Sequence, residues 1–452
     1  MSYLVKLPGW LRNSLINGYG CYLKKRRFGR KFHEWLAFLQ DSQSWSDERR
    51  VEYQVDQLKH LLSDAENNVP FYGKHFAECE FRASQFSCLE DLERIEPVSK
   101  GMLLDSKVSC IHRNVRNMNT VRCLTSGTTG QKFEFHLPFE LRYPLKFATI
   151  WRQYSWAGVQ LFDRRVTLGG RLFAEKPPFY CFNRAENQLL LSIHHLSPDV
   201  LDSYFETIEH YQPAFMQGHP SGIAALAHHL KERGLYYQLK GVFSTGETLF
   251  PADRVVIEEV FKCSVFEEYG SGECAFAAQQ APDSDGFHEV SELGFIEFLA
   301  TASPTHSTIA ATSLHNNVMP FIRYHVEDLV EVAETSDSGN PNLRLPVKIK
   351  SVLGRIDEKL FSADGSPVLP VTIRMCIKPF LPLGALYQVR QEGALEVAIL
   401  FEEAVENARF EQIKQRLQGI LGTSMNIRPL LVERIQTGGG KLRNVINRWK
   451  QG

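Results

Sequence analysis

Apolar positions over residues 51–67 recur at helical spacing and stop at Asn67-Asn68-Val69-Pro70, which predicts one amphipathic helix closed by a breaker. A second helix is predicted over 198–211. Between residues 236 and 299 the pattern changes, with short apolar runs at 239–244, 264–267 and 294–299 separated by helical patterns such as 251–261. Strands that cross over through helices build a mainly parallel sheet. After Asp357 a compact β/α run follows, with a strand over 394–401, a helix over 408–421 and a strand over 427–432. The expected fold class is therefore α/β. Residues 1–356 form a large N-terminal α/β domain with mainly parallel sheets, and residues 357–452 form a small C-terminal α+β domain. The sequence contains no tandem repeat and no low-complexity tract.

Composition removes several classes of function. With 452 residues and 43 % hydrophobic content, the chain can bury one large core and a smaller one. The 51 Lys and Arg against 52 Asp and Glu leave a formal net charge of -1, which gives no field to hold the chain on a polyanion. A nucleic-acid partner is disfavoured. The nine cysteines include no C-x-x-C pair, so neither a disulfide framework nor a zinc module is signalled, and reduced thiols in the cytoplasm are expected. No apolar stretch reaches the roughly 18 residues that span a bilayer. The segment 4–30 mixes Trp10, Leu11, Leu15 and Ile16 with Lys24-Lys25-Arg26-Arg27 and lacks a signal-peptide apolar region. The favoured reading is a helix packed on its host domain with a solvated basic end. The alternative is weak peripheral contact with an anionic membrane surface.

Chemistry enters at Thr125-Ser126-Gly127-Thr128-Thr129-Gly130-Gln131-Lys132. Glycines let backbone N–H groups turn toward a phosphate, and the neighbouring hydroxyls donate further hydrogen bonds to it. The stretch is not the G-x-x-x-x-G-K-[ST] loop of ordinary NTPases. Four further segments follow in order. Ser244-Thr245-Gly246-Glu247 comes after a predicted strand, where exposed backbone can meet a base edge. Glu268-Tyr269-Gly270-Ser271-Gly272-Glu273 offers an aromatic face and a carboxylate suited to Mg²⁺, an ion that takes few protein ligands beside phosphate and water. Arg323-Tyr324-His325-Val326-Glu327-Asp328 ends in an acid able to accept from two ribose hydroxyls. Leu353-Gly354-Arg355-Ile356-Asp357 sets a fork-shaped cation beside an acid. Each has an ordinary structural reading: Tyr269 as a core aromatic, Asp328 as a turn residue, Arg355 in a surface ion pair. Their fixed order tells against five coincidences.

With these segments the sequence resembles the adenylate-forming superfamily of acyl-CoA synthetases, amino-acid adenylation domains and luciferases, within it the phenylacetate–coenzyme A ligase branch. The resemblance runs from Leu61-Leu62 and Val69-Pro70-Phe71-Tyr72 to Gly440-Lys441-Leu442-Arg443. Gly169-Gly170-Arg171 and Ser192-Ile193-His194-His195-Leu196-Ser197 are similar, more narrowly, to ligase-like proteins of capsule and surface-polysaccharide clusters. The resemblance implies that Thr125, Ser126, Gly127, Thr128, Thr129 and Gly130 hold the β,γ-phosphates of ATP. Gly246 and Glu247 would line the adenine pocket, Tyr269, followed by Gly270, would stack on the base, and Glu273 would bind Mg²⁺. Asp328 matches the ribose-binding acid and Arg355 the ribose- and phosphate-contacting arginine. Asp357 stands at a hinge about which the small domain moves, and Lys441 matches the lysine that bridges carboxylate and ATP. Two positions depart from the pattern. Phe133 stands where many members carry a lysine, and Ala363-Asp364-Gly365-Ser366 replaces an Arg-Gly loop that helps seat the thiol acceptor, which puts coenzyme A in question.

The implied reaction is attack of a carboxylate on the α-phosphorus of ATP with release of pyrophosphate, then transfer of the acyl group to a thiol, amine or hydroxyl. Lys441 and Mg²⁺ on Glu273 would neutralise charge. His194, His195 and His219 could line the acyl pocket but read more naturally as hydrogen-bonded structural histidines. A degenerate nucleotide-binding scaffold and an unrelated kinase are the competing classes. Intact Glu273, Asp328 and Lys441 argue against the first, and the absent Walker lysine against the second.

Overall fold

A computed structural model of the chain describes residues 7, 9–124, 133–171, 174, 176–282, 284–301, 305–333, 347–355, 359–368, 370–381, 385–435 and 444–449. The chain divides into two compact units, the first built from most residues up to Ser351 and the second from Glu327–Val330 and the described part of Val352–Gly452.

The first unit opens with five helices, α1 (Gly9–Arg27), α2 (Arg30–Ser42), α3 (Asp47–Asn68), α4 (Pro70–Glu78) and α5 (Lys100–Ser106). The Ser46 side chain accepts from the Arg49 amide at the start of α3, with Asp47 and Glu48 in the first turn, where negative charge suits the helix dipole. A hairpin, β1 (Thr120–Leu124) and β2 (Glu134–Pro138), precedes α6 (Lys146–Trp156). The sheet strands then begin: β3 (Arg165–Gly169), β4 (Tyr180–Asn183), β5 (Gln188–Ser192), helix α7 (Pro198–Tyr211), β6 (Phe215–Gly218), α8 (Pro220–Glu232), β7 (Val242–Thr245), α9 (Pro251–Phe261) and β8 (Val265–Gly270). Strands β9 (Ala277–Gln280), β10 (Phe287–Glu289), β11 (Gly294–Ala300), β12 (Ser307–Ser313), β13 (Tyr324–Val332) and β14 (Val347–Arg355) complete it, with Glu327–Val330 of β13 and the end of β14 from Val352 counted in the second unit.

The twelve strands run in the order β11-β12-β13-β14-β10-β9-β8-β7-β6-β3-β5-β4. Five neighbours, β8-β7-β6-β3-β5, are parallel, and here the expected crossover pattern holds. Pairs such as β8/β9, β9/β10 and β11/β12 are antiparallel, so the run at 294–299 belongs to a meander and not to a crossover. The crossover helices explain their own boundaries. Each of α7, α8 and α9 begins with proline at its first position, where a missing N–H costs nothing. Gln212 after α7 and Lys262 after α9 take left-handed conformations that end them. These helices cover one sheet face with a core that includes Leu168, Leu189, Leu191, Ile208, Leu226, Leu230, Ile257 and Phe261. Each such side chain contributes about 1.5–3 kcal/mol on burial.

Elsewhere in the unit, Arg152 on α6 pairs with Glu292 at 3.0 Å, both almost fully buried. The Ser42 hydroxyl donates to the same carboxylate, and Arg50 donates to the carbonyls of Ser42 at 3.2 Å and Trp45 at 2.7 Å. One polar cluster therefore ties α2, α3 and α6 together. Gln153, next to Arg152, donates to the Glu267 carbonyl at 2.8 Å and so fixes α6 against β8.

The second unit contains a short hairpin, β15 (Leu360–Phe361) and β16 (Pro367–Val368), then helix α10 (Pro370–Ile377), β17 (Tyr387–Gly393), β18 (Glu396–Phe401), α11 (Asn407–Leu421), β19 (Asn426–Leu431) and β20 (Val445–Asn447). Its sheet runs β19-β18-β17-β20, two strands more than expected there. Ile399, Phe401, Ile413, Leu417 and Leu421 share its core.

Strand β3 is the first parallel strand, β5 lies on one side of it, and β6 begins the run on the other, so the chain reverses direction of winding between β3 and β6. In open α/β sheets the crevice at such a reversal, beyond the carboxyl ends of the strands, is where ligands bind. The two strands approach closely there. Gly218 has φ +152°, a Cβ on it would lie 2.0 Å from the Leu168 carbonyl oxygen, and the His219 amide donates to that oxygen at 3.0 Å. Gly218→Ala is therefore expected to destabilise the first unit by roughly 2–4 kcal/mol, read as a lower melting midpoint. An unchanged midpoint would show that β6 can move away from β3 without loss.

Candidate functional site

The sequence-predicted residues that the structure describes fall at two places, one in each unit. In the first unit, Gly246 and Glu247 follow β7, Tyr269 and Gly270 end β8, and Glu273 lies in the next turn. β7 and β8 are parallel neighbours with Thr245 opposite Glu268, so both segments leave the sheet side by side at its carboxyl edge. Gly246, at φ +86°, turns the chain off β7 in a conformation that a side chain resists.

Glu247 is committed to helix α8. Its carboxylate accepts from the Ser221 amide at 3.4 Å and lies 3.8 Å from His219 Nδ1, placing negative charge at the positive end of the helix. What remains to this segment for a base is its backbone. Tyr269 is held edge-on by Phe276 and Phe287, with ring centroids 5.2 Å and 6.2 Å away, which fixes the plane of its ring. The turn after β8 is tight: the Cys274 amide donates to the Ser271 carbonyl and the Ala275 amide to the Ser271 hydroxyl, both at 3.1 Å. Glu273 within it is buried, only 8 % exposed.

Two further carboxylates sit on β8. Burial pushes the Glu268 carboxyl above its ordinary value of 4.5, with Lys146 pulling it back. Burial raises Glu267 as well, against the opposing pull of Arg254, whose guanidinium lies 2.7 Å away.

In the second unit Arg355 donates to Glu327 at 2.9 Å, and Glu327 directly precedes Asp328 on β13. The sequence pointed to Asp357 as the acid beside Arg355 and missed Glu327, whose 28-residue separation carries no local signal. Thr125, Ser126, Gly127, Thr128, Thr129, Gly130, Asp357 and Lys441 lie outside the described residues. The hairpin that flanks the glycine-rich stretch is described, with Leu124 opposite Glu134 and Arg122 paired to Glu134.

Both departures from the family pattern have a structural reason. Phe133 is buried and packs on Phe135 and Phe321, with centroids 5.8 Å and 6.4 Å away, so a lysine there would place its charge in an apolar core. The stretch 363–366 closes the β15–β16 hairpin on itself. The Ser362 hydroxyl donates to Asp364 at 2.5 Å and the Ser366 amide donates to the same carboxylate at 3.0 Å, and these bonds hold the Asp364 carboxyl below its usual range. This turn presents an acid where the family pattern has a guanidinium.

The histidines separate. His194 Nε2 bonds the Gly170 carbonyl at 3.0 Å, and the His195 ring stacks on Phe179 at 3.8 Å, both structural engagements. His219 stands at the β3–β6 reversal, and its Nδ1 is buried without a hydrogen bond among the described residues. Gly218 beside it had no site signal in the sequence, because its partner Leu168 lies fifty positions upstream. Among the described residues no group of three or more His, Cys, Asp or Glu could hold a metal by itself.

No protein-family model matches the chain. It is 22 % identical to Protein CapK of Staphylococcus aureus over 456 aligned residues, covering 98 % of both chains. It is 24 % identical to the phenylacetate-coenzyme A ligase of Pseudomonas putida over 376 residues, covering 78 % of this chain and 81 % of that one. Among solved structures, 2-hydroxyisobutyryl-CoA ligase in a postadenylation state with R3-HIB-AMP superposes with a TM-score of 0.67 at 19 % identity, over 90 % of this chain and 91 % of that one. The same ligase with 2-HIB-AMP and CoA in a thioesterification state gives 0.58 at 20 % identity, with the same coverage.

The raised Glu268 makes a pH prediction. A carboxyl whose folded pKa lies above its unfolded value supports folding below the unfolded value, and that support is lost as pH rises through the folded value. Glu268→Gln should therefore melt higher than the parent at neutral pH, with the gap closing as pH falls toward 4.5. A gap of equal size at both ends, or of opposite sign at neutral pH, would mean that Lys146 outweighs burial.

Proposed function

We propose that this chain is an adenylate-forming enzyme, which activates a carboxylic acid with ATP to an acyl-adenylate with release of pyrophosphate and then transfers the acyl group. The observation that carries this reading is the placement of two of the ordered segments. Gly246–Glu247 and Tyr269–Glu273 leave neighbouring parallel strands at the carboxyl edge of the sheet, in a chain that aligns with its relatives almost end to end.

A carboxylate oxygen attacks the α-phosphorus, and the bond from that phosphorus to the bridging oxygen breaks, with its electrons leaving on pyrophosphate. The protein's task is to position the reactants and offset developing charge. Tyr269 supplies a fixed aromatic plane for adenine, and the backbone at Gly246 supplies hydrogen-bonding groups at its edge. Asp328 accepts from the ribose, and Arg355, oriented by Glu327, contacts ribose or phosphate. The 125–130 stretch holds the β,γ-phosphates. Glu273 provides the carboxylate for Mg²⁺, which supplies charge neutralisation at the phosphates when bound. Lys441 bridges the substrate carboxylate and the nucleotide. In this proposal residues 357–452 act as a mobile domain hinged at Asp357, carrying Lys441 to and from the nucleotide between the two half-reactions.

The acceptor is proposed as a thiol such as coenzyme A. One observation favours a second reading, an amine or hydroxyl acceptor. The turn at 363–366 carries Asp364, locked in its own hairpin, and a carboxylate repels the phosphates of coenzyme A. Residues 169–171 and 192–197, which carry the resemblance to surface-polysaccharide proteins, follow or end β3 and β5 beside the sheet reversal. They support an acyl pocket there and a place in surface-polysaccharide synthesis.

Three measurements test this reading. Pyrophosphate–ATP exchange that requires Mg²⁺ and one member of a panel of aryl, hydroxy, amino and uronic acids is expected, and a silent panel would favour a nucleotide-binding scaffold. Glu273→Gln is expected to lower exchange on the order of 100-fold while leaving thermal melting almost unchanged, since it alters charge and little volume. Near-parental exchange would make Glu273 structural. Lys441→Ala should abolish exchange and spare acyl transfer from supplied acyl-adenylate; equal loss in both steps, in a folded protein, would exclude domain alternation.

A further inference from the structure

The first 33 residues contain eight Lys or Arg and no Asp or Glu, in a chain whose formal net charge is -1. Helix α1 has one face committed to its own unit. Ile16 packs on Cys181 and Leu190, Asn17 donates to the Phe182 carbonyl at 3.1 Å and accepts from the Arg184 amide at 2.7 Å, and Arg27 pairs at 2.7 Å with the fully buried Glu186. Glu186 also binds Arg165 at 2.6 Å, which anchors the helix to the sheet. The basic end is therefore not uniformly solvated: Lys24 lies over Phe162, Arg26 over Phe139 and Tyr143, and Arg27 over Phe147.

The face of α1 opposite these contacts is polar or small, with Ser14, Gly18, Cys21 and Lys25, and on the flank between the two faces apolar side chains are open. Leu15, Tyr19 and Tyr22, at i, i+4 and i+7, are 47 %, 52 % and 51 % exposed. That stripe runs into Arg26, which donates to the Tyr22 hydroxyl at 2.7 Å, and the adjacent Lys25 has no acidic partner among the described residues. A cavity of about 610 Å³ then opens at the α1–α2 corner, lined by Lys25, Arg26, Arg30, Lys31, Phe139 and Glu140 among others. Glu34 and Glu140 lie 3.4 Å and 3.6 Å from Lys31, so that lysine is largely offset, and Arg30 meets Glu34 at 3.4 Å while remaining 86 % exposed.

We propose that this corner docks on an anionic phospholipid surface, with Leu15, Tyr19 and Tyr22 entering the interface and Lys25 and Arg30 meeting lipid phosphates. A nucleic acid would use the same cations but gain nothing from an exposed leucine. Exposed tyrosines beside open basic side chains suit the boundary between water and lipid headgroups, where an aromatic ring keeps one end apolar and the other wet. Among the described residues no helix is long and apolar enough to cross a membrane, so the contact is with the surface. The inference is independent of the catalytic reading, since none of these residues belongs to the proposed site.

The test is flotation of the intact protein with vesicles of phosphatidylcholine alone or mixed with phosphatidylglycerol, at low and physiological salt. Binding to the anionic vesicles and not to the neutral ones is expected. Lys25→Glu with Arg30→Glu should weaken it by roughly tenfold, and Leu15→Ser with Tyr19→Ser by a similar factor. Circular dichroism of both variants should match the parent. The proposal is overturned if the parent does not float with anionic vesicles at low salt, or if either folded double variant binds as the parent does. Retention of binding by Leu15→Ser with Tyr19→Ser, together with binding of a random RNA that the charge reversals abolish, would assign the patch to nucleic acid instead.

Discussion

Where β6 leaves the sheet, the absence of a side chain at Gly218 lets the backbone come against Leu168 closely enough for the His219 amide to bond its carbonyl. Much of the carboxyl edge is arranged from that contact. It sets where α8 begins, because Pro220 follows at once as the first residue of the helix. The start of α8 in turn receives the Glu247 carboxylate from the loop after β7, and β7 registers β8 with Thr245 opposite Glu268. A displacement at Gly218 would pass through α8 and β7 to the end of β8, where Tyr269 lies. Parallel strands with loops at one end are a general scaffold for chemistry, and here a backbone contact too tight for any Cβ connects the loops.

The same edge shows how few charged groups the proposed chemistry requires. Glu247 serves a helix terminus, Glu267 serves Arg254, and Glu268 is disfavoured as an anion by burial. Glu273, in the turn after β8, is the carboxylate that the family resemblance assigns to a cation. A reaction whose electrophile and charge carrier both come from ATP needs no protein nucleophile and no base.

Local signals were the ones sequence reading could use. The helices expected over 198–211 and 251–261 match Pro198–Tyr211 and Pro251–Phe261 because proline at the first position and a left-handed residue after the last mark both ends sharply. The strand expected over 239–244 is Val242–Thr245, since Leu239 is apolar and buried yet its amide bonds Phe261 in a loop. Burial and strand pairing leave the same trace in sequence there. The basic cluster at 24–27 reads as solvated because, apart from Tyr22 one turn before Arg26, its partners Glu186, Phe139, Tyr143, Phe147 and Phe162 are distant in sequence. Phe133 reads as a lost lysine until its packing on Phe321 shows a core position. Motif order thus named candidate site segments, while contacts such as Gly218 on Leu168 and Glu247 on α8 required the fold.

The central claim is that a carboxylate oxygen becomes bonded to the α-phosphorus of ATP. It is tested most directly with a substrate acid labelled with ¹⁸O in both carboxyl oxygens, turned over in the presence of hydroxylamine as acceptor. Attack at the α-phosphorus leaves one labelled oxygen in AMP when the acyl carbon is taken by the amine, and the account predicts AMP bearing one ¹⁸O with unlabelled pyrophosphate. Unlabelled AMP, or ADP together with labelled inorganic phosphate, would contradict it, the second result showing attack at the γ-phosphorus and an acyl phosphate in place of the adenylate.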